Sequence, residues 1–573
     1  MASILTDEDN EDLQRAIAMS LESNQKAMAT AQDHETNSNA GPTTSSRFNA
    51  FLRNLTMSNH EHLTSTKQTG SMSFDRKALE QERLARAASR RRQKSISPPP
   101  RKRARVEDPN TRTELPAILS TFHQKISGGA VASSAMHCAL PSGLRFPFGT
   151  IKKTWSARHT SDERTIKIED IIDKNNVHTA VLSSFMIDPD WILSTKFNTR
   201  RTKFYMILHA KTQAEKAMLR DDFDGLDQAR LCMPKLTGMI GCQHSKLMLL
   251  FFSGFLRVVI PSANLTDYDW GETGFMENSV FLIDLPRRRD GSEASLETLP
   301  SFAQSLLRFL KNQDVTQDVR DGILNFDFSK TERLAFVHTS AGSHFNMNMH
   351  STGLPGLSAA VRELGLETDE DIQVDFAASS IGNLNYQTIN CIYEAARGKD
   401  ITTTASSERI KNQNAKIKAN MRIYFPTHDT VRESLGGPEN AGTICLDSSF
   451  WKSAHFPRDI FRDYQSTRKG LLSHNKILLV RGKKSDGSPI AWAYIGSANC
   501  SDSAWGRMVA KEAKINCNNW ESGVLVPVEN PPQDLTDLTR TFESILDVPF
   551  VYGEGKGLEY SGKKPWFFKE HRF

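Results

Sequence analysis

GCQHSKLMLLFF (residues 241–252), with LRVVIPSANLTDYDWG (256–271) behind it, has a second copy in the chain: LLSHNKILLV (471–480) followed by IAWAYIGSANCSDSAWG (490–506). Each copy reads His-x-Lys, an apolar run, a second apolar run, Ser-Ala-Asn, and a Trp-Gly that begins six residues after the Asn. The first copy holds His244, Lys246 and Asn264, with 20 residues from His to Asn. The second holds His474, Lys476 and Asn499, with a spacing of 25. The two histidines are 230 residues apart, far too long a period for a solenoid, so the repeat implies two similar half-domains.

Leu247 to Phe252 and Ile477 to Val480 are apolar throughout, as a strand covered on both faces should be. Leu256 to Ile260 and Ala491 to Ile495 read as the neighbouring strands. On a strand, His and Lys two residues apart point to one face. Ser-Ala-Asn then falls at a strand end, where a loop opens.

Two His, two Lys and two Asn gathered across a pseudo-two-fold interface suit a single phosphodiester. Lys and Asn groups donate to the non-bridging oxygens, more strongly as charge builds in the transition state. One neutral His can attack phosphorus, and the other, protonated, can hand its proton to the leaving oxygen. Imidazole titrates near neutral pH, so both forms are accessible. Pseudo-symmetry alone does not say which His does which. No metal is required, because the lysine pair supplies positive charge. A single His-x-Lys is common by chance, and a lone Ser-Ala-Asn is more often a helix N-cap. Two ordered copies of the whole pattern argue for function.

The double signature resembles the phospholipase D superfamily and, within it, the tyrosyl-DNA phosphodiesterases. The lipid-cleaving branch carries an Asp after His-x-Lys and four further residues, where this chain has Phe251 and Arg481. The resemblance runs from about Phe146 to Trp566 and includes FMIDPDW (185–191) and NNWESGVLV (518–526). It implies a phospholipase D fold: an α/β chain of two pseudo-two-fold-related α/β/α sandwich halves with mixed sheets, preceded by a disordered tail. It implies a DNA-repair phosphodiesterase acting on 3′-phosphotyrosyl and other 3′ adducts of single- or double-stranded DNA, such as a topoisomerase I peptide. His244 is then the nucleophile, forming a phosphohistidine, and His474 the general acid and base. Lys246, Lys476, Asn264 and Asn499 hold the phosphoryl oxygens, with no cofactor.

The resemblance also implies that Glu521 hydrogen-bonds the nucleophilic His, fixing its tautomer as the third member of a triad does. A Gln of the family that orients one catalytic His has its nearest counterpart in Asn278, which reads equally as a turn residue. Ser379 and Ser380, in FAASSIGNLN (376–385), match a DNA-contacting loop, although Ser hydroxyls also cap helices. Many relatives carry a base-stacking aromatic where this chain has Ile240.

The chain has 573 residues, 38% of them hydrophobic, enough for two or three domains with substantial cores. No apolar run approaches ~20 residues, so no membrane span or membrane partner is expected. MASILTDEDNED lacks the apolar core of a secretory signal. Seven scattered cysteines without a Cys-x-x-Cys pair indicate neither a zinc site nor a disulfide scaffold, and a reducing compartment fits. Ten Lys or Arg and no acid lie between Arg83 and Arg105, and taking them from the net charge of +5 leaves −5. The basic balance therefore belongs to the tail.

Residues 1–25 place Leu13, Ala16, Ile17 and Ser20 on one helix face behind an acidic cluster, which resembles a ubiquitin-interacting motif. A generic amphipathic helix would show the same face. Residues 26–120 read as a disordered basic tail, in which Arg101, Lys102, Arg103 and Arg105 resemble a nuclear localisation signal for an import receptor. The halves are expected at 121–335 and 336–573, in a monomer acting in the nucleus. Two other readings fit the residues: a different phospholipase D-type phosphodiesterase or nuclease, or a ubiquitin-recruited scaffold with a degenerate site.

Overall fold

The computed structural model describes residues 143–571, apart from 211, 224–227, 237–240, 290–292, 404–412, 510–511, 554–556 and 561. The expected ubiquitin-interacting helix, the basic tail and Ile240 lie outside the described residues.

Two eight-stranded mixed sheets carry the structure. The first contains β1 (Thr150–Thr154), β2 (Thr165–Ile166), β3 (Thr179–Ser183), β4 (Lys203–Ile207), β5 (Ala229–Cys232), β6 (Leu247–Phe251), β7 (Phe255–Pro261) and β8 (Ser279–Pro286), in the order β2-β1-β8-β7-β6-β3-β4-β5. The second contains β9 (Ala335–Thr339), β10 (Ile372–Ala378), β11 (Met421–Phe425), β12 (Phe461–Asp463), β13 (Lys476–Lys483), β14 (Pro489–Gly496), β15 (Glu521–Pro527) and β16 (Leu558–Glu559), in the order β9-β15-β14-β13-β10-β11-β12-β16. From β1 to β5 and from β9 to β12 the two orders correspond strand for strand. The parallel or antiparallel sense agrees at every step. The extra strands β2 and β16 sit at non-equivalent edges.

The apolar runs are continuous because each strand is covered twice. Leu247, Leu249 and Phe251 enter a central layer, whereas Met248, Leu250 and Phe252 enter an outer one. Ile477 and Leu479 face the same central layer, and Leu478 and Val480 face away from it. Period-two alternation thus places successive side chains in different cores, each fully buried aliphatic contributing roughly 1.5–3 kcal/mol. The central layer also holds Phe302, Leu306, Phe309 and Leu310 of α1 (Ser301–Asn312), the helix expected from FAQSLLRFLKNQ. On the far side of the second sheet lie α2 (Gly353–Glu363) and α3 (Tyr386–Ala396), which bury Leu357, Val361, Ile389 and Ile392. The closing segment packs on the second half, where Trp566 N–H donates to Pro426 O at 3.1 Å.

One local expectation fails. His-x-Lys does not lie within a strand: β6 begins after Lys246, and β13 begins at Lys476. Just before each His the chain leaves its own sheet and pairs with the opposite half. Gln243 bridges Trp520, and Leu472–Ser473 pairs with Met276–Glu277. The His244 N–H donates to Trp520 O at 3.1 Å and the His474 N–H to Glu277 O at 3.0 Å.

Candidate active site

This stitching brings both histidine segments to the seam between the halves. His244, His474, Asn264 and Glu521 are buried, and Lys246 and Lys476 have no solvent exposure. The Lys246 ammonium donates to His244 O at 2.9 Å, and that of Lys476 bonds His474 O. The middle residues of the two triplets, Ser245 and Asn475, are satisfied in buried polar networks. Gln243 Nε2 donates to Ser183 Oγ and Ser245 Oγ at 2.7 and 2.8 Å, and Asn475 Nδ2 donates to Tyr464 Oη at 3.2 Å.

The two asparagines are anchored alike. Asn264 Oδ1 accepts from Met186 N at 3.3 Å, and Asn499 Oδ1 accepts from Ser380 N at 3.1 Å. With the oxygens held by backbone N–H groups, both amide nitrogens point the other way as donors. Ser379 is buried behind this pair, where its hydroxyl accepts from Lys476 Nζ at 2.8 Å and donates to Asn499 Oδ1 at 3.3 Å. It supports Lys476 and Asn499 rather than presenting a free hydroxyl to DNA.

Glu521 Oε2 lies 2.8 Å from His244 Nδ1 and also accepts from Ser497 Oγ at 2.5 Å. Its Oε1 accepts from Asn519 Nδ2 at 3.0 Å. This fixes the His244 ring with Nδ1–H toward the carboxylate and Nε2 toward the pocket. The Phe185 ring lies tilted against His244, with centroids 5.3 Å apart.

Asn278 occupies the place in the first half that Glu521 has in the second. Ser262 N bonds Ser279 O just as Ser497 N bonds Ser522 O, which aligns the preceding residues Asn278 and Glu521. Yet Asn278 is not the group beside His474. Its Oδ1 accepts from Ser262 Oγ at 2.8 Å and its Nδ2 donates to Asp269 O at 2.9 Å. The carboxylate nearest His474 belongs to Asp269, whose Oδ2 is 3.2 Å from Nδ1. Reading the sequence missed Asp269, Ser497 and Asn519.

Burial pushes His244 down to about 4, with Lys246 and Lys476 adding to the fall and Glu521 opposing it. Burial likewise drives His474 to about 4, with Lys476 and Lys246 adding and Asp269 opposing. Each histidine therefore feels the lysine of the other half, so the four buried side chains interact across the seam. Burial lowers Lys246 to about 8, and burial together with Lys246 takes Lys476 well below its ordinary value. Burial alone would raise Asp269, but His474, the Asn264 N–H and Lys476 hold its carboxyl below the usual range. The two lysines and the two acids, Asp269 and Glu521, thus act on one another across the buried seam. It can receive a singly charged phosphodiester, because fixed donors already face the site.

Known proteins resemble this chain. Residues 150–553 match the family described as Tyrosyl-DNA phosphodiesterase, and residues 8–24 match the Ubiquitin interaction motif. Tyrosyl-DNA phosphodiesterase 1 of Drosophila melanogaster is 24% identical over 408 residues, 68% of each chain. Its Arabidopsis thaliana namesake is 22% identical over 386 residues, 63% of this chain and 58% of that one. A histidine-to-arginine mutant of yeast tyrosyl-DNA phosphodiesterase 1 superposes with a TM-score of 0.52 at 17% identity, covering 74% of this chain and all of the other, and so shares the fold. The chain belongs to the tyrosyl-DNA phosphodiesterase family and is a phosphodiesterase of DNA repair.

Proposed function

We propose that the chain hydrolyses the phosphodiester joining a tyrosine, or another blocking group, to a DNA 3′ end, and leaves a 3′-phosphate. The observation that carries this reading is the pairing of each histidine segment with the opposite half, which brings each imidazole within the electrostatic reach of the other half's lysine. His244 Nε2 attacks phosphorus, an N–P bond forms, and the P–O bond to tyrosine breaks. The tyrosine oxygen takes its proton from His474 Nε2. Water then attacks phosphorus, His474 takes the water's proton, and the N–P bond breaks. Glu521, bonded to His244, stabilises the positive charge that grows on the attacking ring. Lys246, Lys476, Asn264 and Asn499 hold the equatorial oxygens. His474 is neutral at pH 7 before substrate arrives, and the phosphodiester's negative charge raises its affinity for a proton. Adducts left by topoisomerase I fit this chemistry.

The ubiquitin motif at residues 8–24 supports recruitment to ubiquitylated protein. Arg101, Lys102, Arg103 and Arg105 support import by a nuclear receptor, and we take the enzyme to act in the nucleus as a monomer. A 3′-phosphotyrosyl oligonucleotide should be cleaved in excess EDTA, and a requirement for added divalent metal would overturn the mechanism. His474→Ala should accumulate a covalent DNA adduct on denaturing gels, and absence of that adduct would reverse the roles of the two histidines.

A further inference from the structure

We propose that Asp269 is the positioning residue for His474, the partner of the general acid as Glu521 is the partner of the nucleophile. The inference rests on the reading of His474 given above. The two copies of the repeat carry it. Aligned at Ser-Ala-Asn, SANLTDYDWG and SANCSDSAWG set Asp269 against Ala504. The strand register sets Asn278 against Glu521. Each half therefore holds one carboxylate, at a different place, and each carboxylate faces the histidine of the other half. At His244 the acid comes from the strand, where Glu521 is, and the loop has Ala504. At His474 the strand position is the neutral Asn278, and the loop supplies Asp269.

The contact is built. Asp269 is 1% exposed. Its Oδ2 accepts the Asn264 N–H at 2.6 Å and sits 3.2 Å from His474 Nδ1. Trp270 Nε1 donates to Asn264 O at 2.9 Å, which closes the loop around the phosphate-facing asparagine. His474 Nδ1 and Asp269 Oδ1 are both buried without an aligned hydrogen-bond partner. The 3.2 Å contact is thus close but off the hydrogen-bond line, the kind that tightens when substrate binds. The charged groups facing His474 are Asp269, Lys476 and Lys246. Only the first favours its protonation. With Nδ1–H held toward Asp269, Nε2 alone carries the proton that is given to the leaving oxygen and taken from water. Asn264, a phosphate donor, and His474, the acid, then hang from one carboxylate oxygen.

Asp269→Asn keeps an acceptor for Asn264 and removes the charge. Single-turnover adduct formation is measured on a 3′-phosphotyrosyl and a 3′-p-nitrophenyl phosphate oligonucleotide, with Asp269→Asn, His474→Ala and native full chain. Tyrosine, a leaving phenol of pKa about 10, needs the acid, whereas p-nitrophenolate leaves without it. We expect Asp269→Asn to slow the tyrosyl substrate on the order of 10²-fold and to spare adduct formation on the nitrophenyl substrate, the same discrimination expected of His474→Ala. An equal loss on both substrates, or none, while His474→Ala still discriminates, would overturn the role of Asp269 and leave the proposed function standing. If His474→Ala fails to discriminate, His474 is not the acid and both readings fall. Loss of folding in Asp269→Asn shifts the test to ¹⁵N-histidine spectra of the native chain. A neutral His474 protonated at Nδ1 is expected there, and the Nε2–H tautomer would overturn the proposal.

Discussion

Glu521→Gln removes one charge and keeps the side chain's shape. The new amide would set an N–H₂ group against one of three donors: His244, Ser497 or Asn519. We expect the rate of adduct formation to fall on the order of 10²-fold, since the attacking ring loses its counter-charge. Stability should fall by about 1–3 kcal/mol, because one buried donor is left unmatched. Rapid-quench kinetics and urea unfolding measure the two effects, and an unchanged rate would remove Glu521 from the mechanism. His244, Lys246, Asn264 and their copies were legible in the sequence because they occur twice in one order. Asp269 was not, because its counterpart is Ala504 and a repeat search discards what differs. Ser379 shows a hydroxyl in the sequence, but only the fold shows that Lys476 and Asn499 have taken it.

The strand β15 carries Glu521 at its first residue and Gly523 two further on. A Cβ on Gly523 would lie 2.1 Å from the Tyr494 ring, and the Tyr494 hydroxyl accepts from Ala498 N at 3.4 Å. Gly523→Ala must therefore push Tyr494, and with it the Ser497–Asn499 loop, or displace the strand that presents Glu521. Overpacking of this kind costs about 1–3 kcal/mol, and activity should drop more than stability does. A melting curve beside a cleavage assay tests this, and native activity in the alanine variant would show that the loop tolerates the shift. Strands and helices such as β6, β13 and α1 were readable from hydrophobic periodicity, which is local. The position of His-x-Lys outside the strand was not. It follows from pairing between Gln243 and Trp520, residues 277 positions apart, and no local pattern encodes that.

Across the whole molecule, burial leaves its mark in acid. His244, His338 and His474 have folded-state values near 4, 3 and 4, all below the ordinary 6.5. The unfolded chain therefore binds more protons than the folded one between these values and 6.5. The stability they contribute is present above pH 6.5 and is lost as pH falls toward 4. Each buried histidine costs up to about 1.4 kcal/mol per pH unit in that window. Urea midpoints should fall steeply from pH 7 to pH 5, and a flat profile would mean that the imidazoles are hydrated in the native state. The pairing of each histidine segment with the opposite half also bears on how such a chain can change over generations. Neither half is a spare that can drift while the other works. On the proposed mechanism, a substitution that alters an acceptor in one half alters the acid–base chemistry of the other, which favours matched changes in two stretches of the gene.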